Sequence, residues 1–194
     1  MHFHGIHPAN MDGVFEHVPP GGSFTYEFEA EPFGLHLYHC HTPPIAKHIA
    51  KGLYGTFIVD PAEPREPATE MVMVMNGWDV DFDEENEFYT VNGIANYYLD
   101  HPIPLKVGER VRIYLVNITE FDLINSFHLH ANMFHYYPTG TQKVPRDFTD
   151  TIMLCQGERG ILEFAYKYPG KYLFHAHQSE FSELGWVGAF DVTP

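Results

Sequence analysis

Positive charge is scarce in this chain. Eleven Lys and Arg stand against 26 Asp and Glu, a formal net charge of −15 over 194 residues. Such a chain repels polyanions, which argues against nucleic acid and anionic membranes as partners and suggests a solvated acidic surface. No apolar run approaches the roughly 20 residues of a membrane-spanning helix, and the opening Met1-His2-Phe3-His4 has no signal-peptide pattern. Cysteine is nearly absent, with only Cys40 and Cys155. A disulfide between them is the ordinary alternative. Cys40, however, stands between His39 and His41 with His48 close behind, whereas Ile152-Met153-Leu154-Cys155-Gln156 gives Cys155 no such company. Cys155 is therefore expected to be a free core cysteine.

Histidine, by contrast, is abundant and ordered. His2 and His4, His39 and His41, His128 and His130, and His175 and His177 form four His-x-His pairs inside apolar or aromatic stretches that read as strands. Side chains alternate faces along a strand, so each pair places two imidazoles on one face, about 6–7 Å apart. One such pair is often a packing accident. Eight imidazoles in four matched pairs exceed the needs of a mononuclear site and suit a small cluster of nitrogen-preferring metal ions, copper first among them.

Short aromatic and β-branched runs punctuated by Gly and Pro predict strands at Ser23–Phe28, Gly55–Val59, Arg110–Val116 and Ile161–Ala165; only Ile45–Lys51 looks helical. This is an all-β sandwich pattern. The run from Pro61 to Pro67 reads as a linker, giving units over residues 1–62 and 70–194 joined by 63–69. The two units repeat one another. His2-Phe3-His4-Gly5 matches His128-Leu129-His130-Ala131, the run Gly34 to His41 matches Gly170 to His177, and Gly52 to Val59 matches Gly185 to Val192. Gly22 to Phe28 likewise matches Gly160 to Phe164. The second unit has about 58 residues, Glu70 to Phe127, ahead of its first histidine pair, where the first has only Met1. The first unit is thus expected to be the later part of a longer domain, the chain being truncated at its start.

On a strand, His39 and His41 face one way and Cys40 the other, so one strand serves two metal sites with Cys40 as the covalent bridge. His48 comes within reach of the sulfur. A thiolate with imidazoles and a weak axial group is the blue-copper arrangement, suited to electron transfer. In the second unit Ala176 stands where the first has Cys40.

These motifs resemble the two-domain multicopper oxidases of the laccase-like kind, built from cupredoxin domains, with blue copper in the first domain only. The resemblance implies tandem Greek-key sandwiches, the first incomplete. It implies one-electron oxidation of a small reducing donor, phenolic or similar, at type 1 copper, and reduction of O2 to water at a trinuclear centre. About four copper ions per complete subunit, a homotrimer with interfacial clusters and an extracytoplasmic location follow from it as well. By motif position His2 and His128 would hold type 2 copper, and His4, His39, His41, His130, His175 and His177 the type 3 pair. Cys40 and His48 would be type 1 ligands. Leu53 stands where relatives often carry an axial Met, implying a three-coordinate site of raised potential. The family's other type 1 histidine falls ahead of Met1; its counterpart in the second unit is Asn125, and His7 and His36 are the nearby substitutes.

Reduction of O2 consumes protons, so acids near the cluster are expected. Asp12 matches the family's proton-relay aspartate, against its plainer reading as a turn residue before Gly13. Glu183 and Glu180 have weaker claims. His17, His101 and His135 read as surface or core residues, with His135 also a candidate for lining a substrate or solvent path. Met71 to Met75 alternates with Val as a buried strand does, and Asp81 to Glu87 is an acidic loop whose default is solvation. Two rivals remain. A copper nitrite reductase shares the fold but needs fewer histidines, and a non-catalytic copper-binding relic would bind metal without consuming O2.

Overall fold

A computed structural model describes residues 1–194. The elements run β1 (His2–Phe3), β2 (Gly34–His39), α1 (Ile45–Ala50), β3 (Tyr54–Val59), β4 (Thr69–Trp78), β5 (Phe88–Val91) and α2 (Tyr97–Asp100). They continue with β6 (Ile103–Lys106), β7 (Val111–Asn117), β8 (Ile124–Leu129), β9 (Phe134–Pro138), β10 (Asp147–Thr149) and β11 (Thr151–Cys155). Last come β12 (Arg159–Phe164), β13 (Gly170–His175), α3 (Ser179–Glu183) and β14 (Val187–Thr193). The fold is all-β and cupredoxin-like. No helix is long and apolar enough to cross a membrane.

Three sheets form: β1-β2-β3, β10-β9-β12-β7-β4-β5 and β11-β8-β13-β14-β6. The two larger sheets enclose one core, with Met73, Met75, Ile113, Leu115 and Phe134 from the first meeting Phe127, Phe174, Phe190 and Trp186 from the side of the second. Strand β4 therefore turns Met73 and Met75 inward, as its alternation with Val implies. Strand β7 is buried at every position because its sheet is covered on both faces. Its other face carries Tyr114 and Val116, which pack with Tyr137 and Ile161 against Leu35, Leu37 and Ile49 of the smaller unit. Removing each such leucine from water contributes about 1.5–3 kcal/mol.

Polar ties reinforce this contact. Leu35 N–H donates to the Thr139 carbonyl at 2.8 Å, and Arg159 Nε donates to the Leu35 carbonyl at 2.7 Å. The linker is anchored too: Arg65 donates to the carbonyls of Gly140 and Gln142, each at 2.9 Å. Buried Arg112 reaches Glu70 and Glu163, both at 2.6 Å.

Three sequence expectations need correction. Ile45–Lys51 is not the only helical stretch, since the short helices α2 and α3 form as well. Ser23–Phe28 is not a strand. Phe24, Tyr26 and Phe28 do alternate inward, and Phe3 packs on Tyr26 and Phe28, but no strand lies alongside to complete a ladder. Cys155 is free but exposed, not a core residue. On edge strand β11 the inward positions are Ile152 and Leu154, so period two turns Cys155 outward. Cys40 is free as well.

Candidate metal centre

The first histidine set is assembled by strand register. In the antiparallel pair β1–β2, His2 lies opposite His39, and His4 N–H donates to the Leu37 carbonyl at 2.8 Å. The rings of His2 lie 5.0 Å from His4, 5.2 Å from His39 and 5.5 Å from His41, centre to centre. His4 Nε2 and His39 Nε2 are 3.2 Å apart.

The second set repeats the first. His175 lies opposite His128 in β13–β8, and His130 N–H donates to the Leu173 carbonyl at 2.9 Å. The ring of His128 is 5.0 Å from His130, 5.4 Å from His175 and 5.3 Å from His177. His130 Nε2 and His175 Nε2 are 2.8 Å apart. Ring nitrogens of His2, His4 and His39 fall within 4.8 Å of one another, as do those of His128, His130 and His175. All close contacts between these rings lie within a set. The eight imidazoles thus form two matching groups of four.

Main-chain carbonyls orient the rings. His39 Nδ1 donates to the Cys40 carbonyl at 2.9 Å, and His175 Nδ1 donates to that of Ala176 at 2.6 Å. His2 Nδ1 donates to the Asp12 carbonyl at 3.1 Å and lies 3.1 Å from Asp12 Oδ1. His128 Nδ1 donates to Thr151 Oγ1 at 2.8 Å, and that hydroxyl donates to Asp150 Oδ1 at 3.0 Å. With Nδ1 occupied, the tautomer is set and Nε2 is left to ligate. Sequence reasoning reaches Asp12 but misses Asp150 and Thr151, which meet His128 only through the β8–β11 register.

Burial and neighbouring charge favour the neutral form of three of these rings. Burial, then the Arg159 guanidinium and the neighbouring imidazoles, depress His4 to about 4. Burial likewise lowers His39 and His130. Two imidazole nitrogens in contact cannot both carry protons, so the donor set is one that a soft or borderline cation such as copper satisfies.

Cys40 is the first residue after β2, and its Sγ lies 3.3 Å from His48 Nδ1. Helix α1 brings His48 there. The turn that follows holds the pair, since Leu53 N–H donates to the His48 carbonyl at 3.1 Å and Cys40 N–H to the Leu53 carbonyl at 2.8 Å. Neither substitute approaches the sulfur: His7 Nε2 donates to the Phe3 carbonyl at 2.8 Å, and buried His36 donates to that of Pro32 while stacking on Phe57. In the second unit Ala176 N–H bonds the Trp186 carbonyl at 3.2 Å, repeating the Cys40–Leu53 link. Trp186 itself fills the space, its Nε1 donating to Asn125 Oδ1 at 3.0 Å. Glu183 is exposed and makes no polar contact with the histidines; His135 is exposed, its ring against Phe148.

Comparison with known proteins agrees with this geometry. Two family models described as multicopper oxidase match residues 1–64 and 65–194. A copper-containing nitrite reductase of Neisseria gonorrhoeae is 29% identical over 194 residues, covering 90% of this chain and 49% of that protein. The chain thus spans about half the length of the Neisseria nitrite reductases it matches over 90% of its residues. A crystal structure titled multicopper oxidase superposes with TM-score 0.97 at 59% identity, covering 99% of this chain and 69% of that one. A copper nitrite reductase from Nitrosomonas europaea superposes with TM-score 0.88 at 26% identity, covering 98% and 73%. Family models that together span every residue, laid over two cupredoxin-like units with imidazoles clustered at the same place in each, put this chain in the multicopper oxidase family, whose metal is copper.

Proposed function

We propose that this chain belongs to an oxidase that withdraws electrons singly from a small reducing donor near Cys40 and reduces O2 to water at a centre built from the eight paired histidines. The observation that carries the reading is the pair of matching four-imidazole sets, because a donor set of that size exceeds what a single metal ion takes. Copper held there would supply the one-electron redox chemistry and the O2-binding centre.

The chain's own groups do the rest. His2 and His128 are the candidate type 2 ligands; His4, His39, His41, His130, His175 and His177 are the candidate type 3 ligands. Cys40 and His48 are the candidate type 1 ligands, and the Cys40 main chain joins the sulfur covalently to both His39 and His41. Asp12, in contact with His2, is placed to hold that ring and to carry protons. Glu183 keeps only its proximity in sequence to His177 as support.

Since the two sets do not touch within one chain, the complete centre takes its first set from one copy and its second from another, as in a homotrimer acting outside the cytoplasm. Mixing tests this. A His2→Ala/His39→Ala chain and a His128→Ala/His175→Ala chain, each inactive alone, should regain O2 uptake together; no recovery, with both variants folded, means the centre is not shared between copies.

A second reading, copper nitrite reductase, is favoured by the 29% identical relatives. His41 following Cys40 tells against it, as a smaller histidine set would then suffice. Copper analysis separates the two at about four ions per complete subunit against about two, and an oxygen electrode with a phenolic donor, run beside a nitrite assay, gives the acceptor directly. Bound copper without turnover of either acceptor would leave only a copper-binding protein.

A further inference from the structure

The loop joining β4 to β5 lies against the turn that holds Cys40 and His48. The space beside Gly52 is closed by the Trp78 ring, 3.7 Å from where a β-carbon would stand. Next to Gly52, Leu53 is 48% exposed, and Phe82 of the loop is 47% exposed. Phe88 is exposed too, and it lies opposite Trp78 in the β4–β5 register, so the two rings share a face. An exposed aromatic and aliphatic rim therefore borders the Cys40–His48 turn, made jointly by the two units.

The loop also decides which charge this rim accepts. From Asp79 to Glu87, six of nine residues are acidic. Carboxylates of Asp79, Asp81, Asp83 and Glu87 crowd within 4.8 Å of one another, and desolvation first, then repulsion from Asp83 and Glu87, pushes the Asp81 carboxyl up. Lys51 and Lys47 hold their ammonium groups 4.7 and 5.9 Å from the Phe82 ring centre. They show that this ring is placed to take positive charge, and they offset only two of the six carboxylates. The backbone around Phe82 is tied down: its N–H and that of Glu84 both donate to the Asp79 carboxylate, at 2.6 and 3.1 Å.

We infer that this rim is the docking surface for the electron donor and that it selects cationic aromatic molecules, the ring lying on Leu53, Trp78 and Phe82 and the positive group turned to the acidic loop. The inference rests on the oxidase reading for its place beside Cys40, but its test does not require copper. Aromatic stacking and cation–π attraction supply the contact, and long-range attraction by the acidic loop adds discrimination.

Two phenols of opposite charge serve as probes: 4-(trimethylammonio)phenol and 4-hydroxybenzenesulfonate. The chain has two tryptophans; Trp186 is fully buried whereas Trp78 is partly exposed, so quenching of emission reports on the rim. In the metal-free protein at low salt the cation should quench saturably and bind about tenfold or more tightly than the anion, the gap closing as salt is added. Trp78→Phe should abolish the quenching. An Asp81→Asn/Asp83→Asn/Glu84→Gln/Glu85→Gln variant, checked as folded by circular dichroism, should bind both probes alike. Equal binding in the parent protein, quenching that never saturates, or indifference to the four substitutions would overturn the inference. The oxidase reading fails separately: a cation that binds but drives no O2 uptake in the copper-loaded complete protein removes that reading and leaves the docking surface standing.

Discussion

Arg159 Nε donates to the Leu35 carbonyl at 2.7 Å across the contact between the two units, and the same guanidinium is the leading charge that depresses His4. One side chain thus joins the units and favours the neutral form of the His4 imidazole. Replacing Arg159 by Met should raise the His4 pKa from about 4 toward the ordinary 6.5 without reaching it, because burial is the larger cause. It should also cost about 1–3 kcal/mol of stability by leaving the Leu35 carbonyl unpaired. NMR titration of the imidazole and urea denaturation measure the two effects; an unmoved His4 would show that the charge is screened.

Acid should destabilise the metal-free protein. His4 titrates near 4 when folded, against an ordinary 6.5, and His39 and His130 are lowered as well. Between those values the unfolded chain binds protons that the folded chain refuses, so stability is complete above about 6.5 and falls as pH falls, with the His4 loss finished below about 4. Urea midpoints at pH 7, 5.5 and 4.5 should decline in that order, less steeply for His4→Gln. Equal slopes in parent and variant would mean that His4 does not contribute to the decline.

Gly34 permits the two units to approach. Its φ is +140°, and a β-carbon there would stand 2.7 Å from the Thr139 carbonyl oxygen and 2.9 Å from Thr141 Cγ2. Both the strain and the clash oppose Gly34→Ala, which should destabilise the chain by about 1–3 kcal/mol and raise the proteolysis rate at the Pro61–Pro67 linker. A melting temperature equal to that of the parent would contradict the close approach.

Asp12 offers a kinetic test of the oxidase reading. It contacts His2 rather than Cys40 or His48, so Asp12→Ala should slow O2 reduction by about tenfold or more while leaving electron entry near Cys40 unchanged. Stopped-flow reduction and reoxidation of the complete, copper-loaded protein give the two rates separately. Equal slowing of both would assign Asp12 a structural role.

Much of the candidate site was legible because period-two alternation is local. Each His-x-His pair sits at a strand end, the first histidine inside the strand and the second just beyond it, yet the alternation still brings both rings to one group, and equal spacing in two repeats makes two such groups. Strands β2, β3, β7 and β12 and helix α1 follow from the same local patterns. What the sequence hides is pairing. Ser23–Phe28 has a strand's alternation but no partner, and the Asp150–Thr151–His128 chain exists only through the register of β11 on β8. The exposure of Cys155 depends on β11 being an edge, and the meeting of Trp78 with Gly52 depends on how the two units pack.

The second unit should resist conversion into a copper site of the kind proposed at Cys40. Ala176 occupies the cysteine position, so Ala176→Cys restores the thiol, and Asn125→His restores an imidazole at the position that precedes the histidine pair. Yet Trp186 fills the space between them, fully buried, with Nε1 bonded to Asn125 Oδ1 at 3.0 Å and 3.1 Å from Met75 Sδ. Asn125→His removes the better acceptor and crowds the indole, at an expected cost of about 1–3 kcal/mol. Ala176→Cys alone should fold but show no intense thiolate-to-copper absorption from the second unit, and the double variant should lose stability before it gains colour. An intense blue band arising in the double variant with Cys40→Ser also present, so that the first unit cannot contribute it, would mean that the indole yields to the metal and that packing does not guard this position.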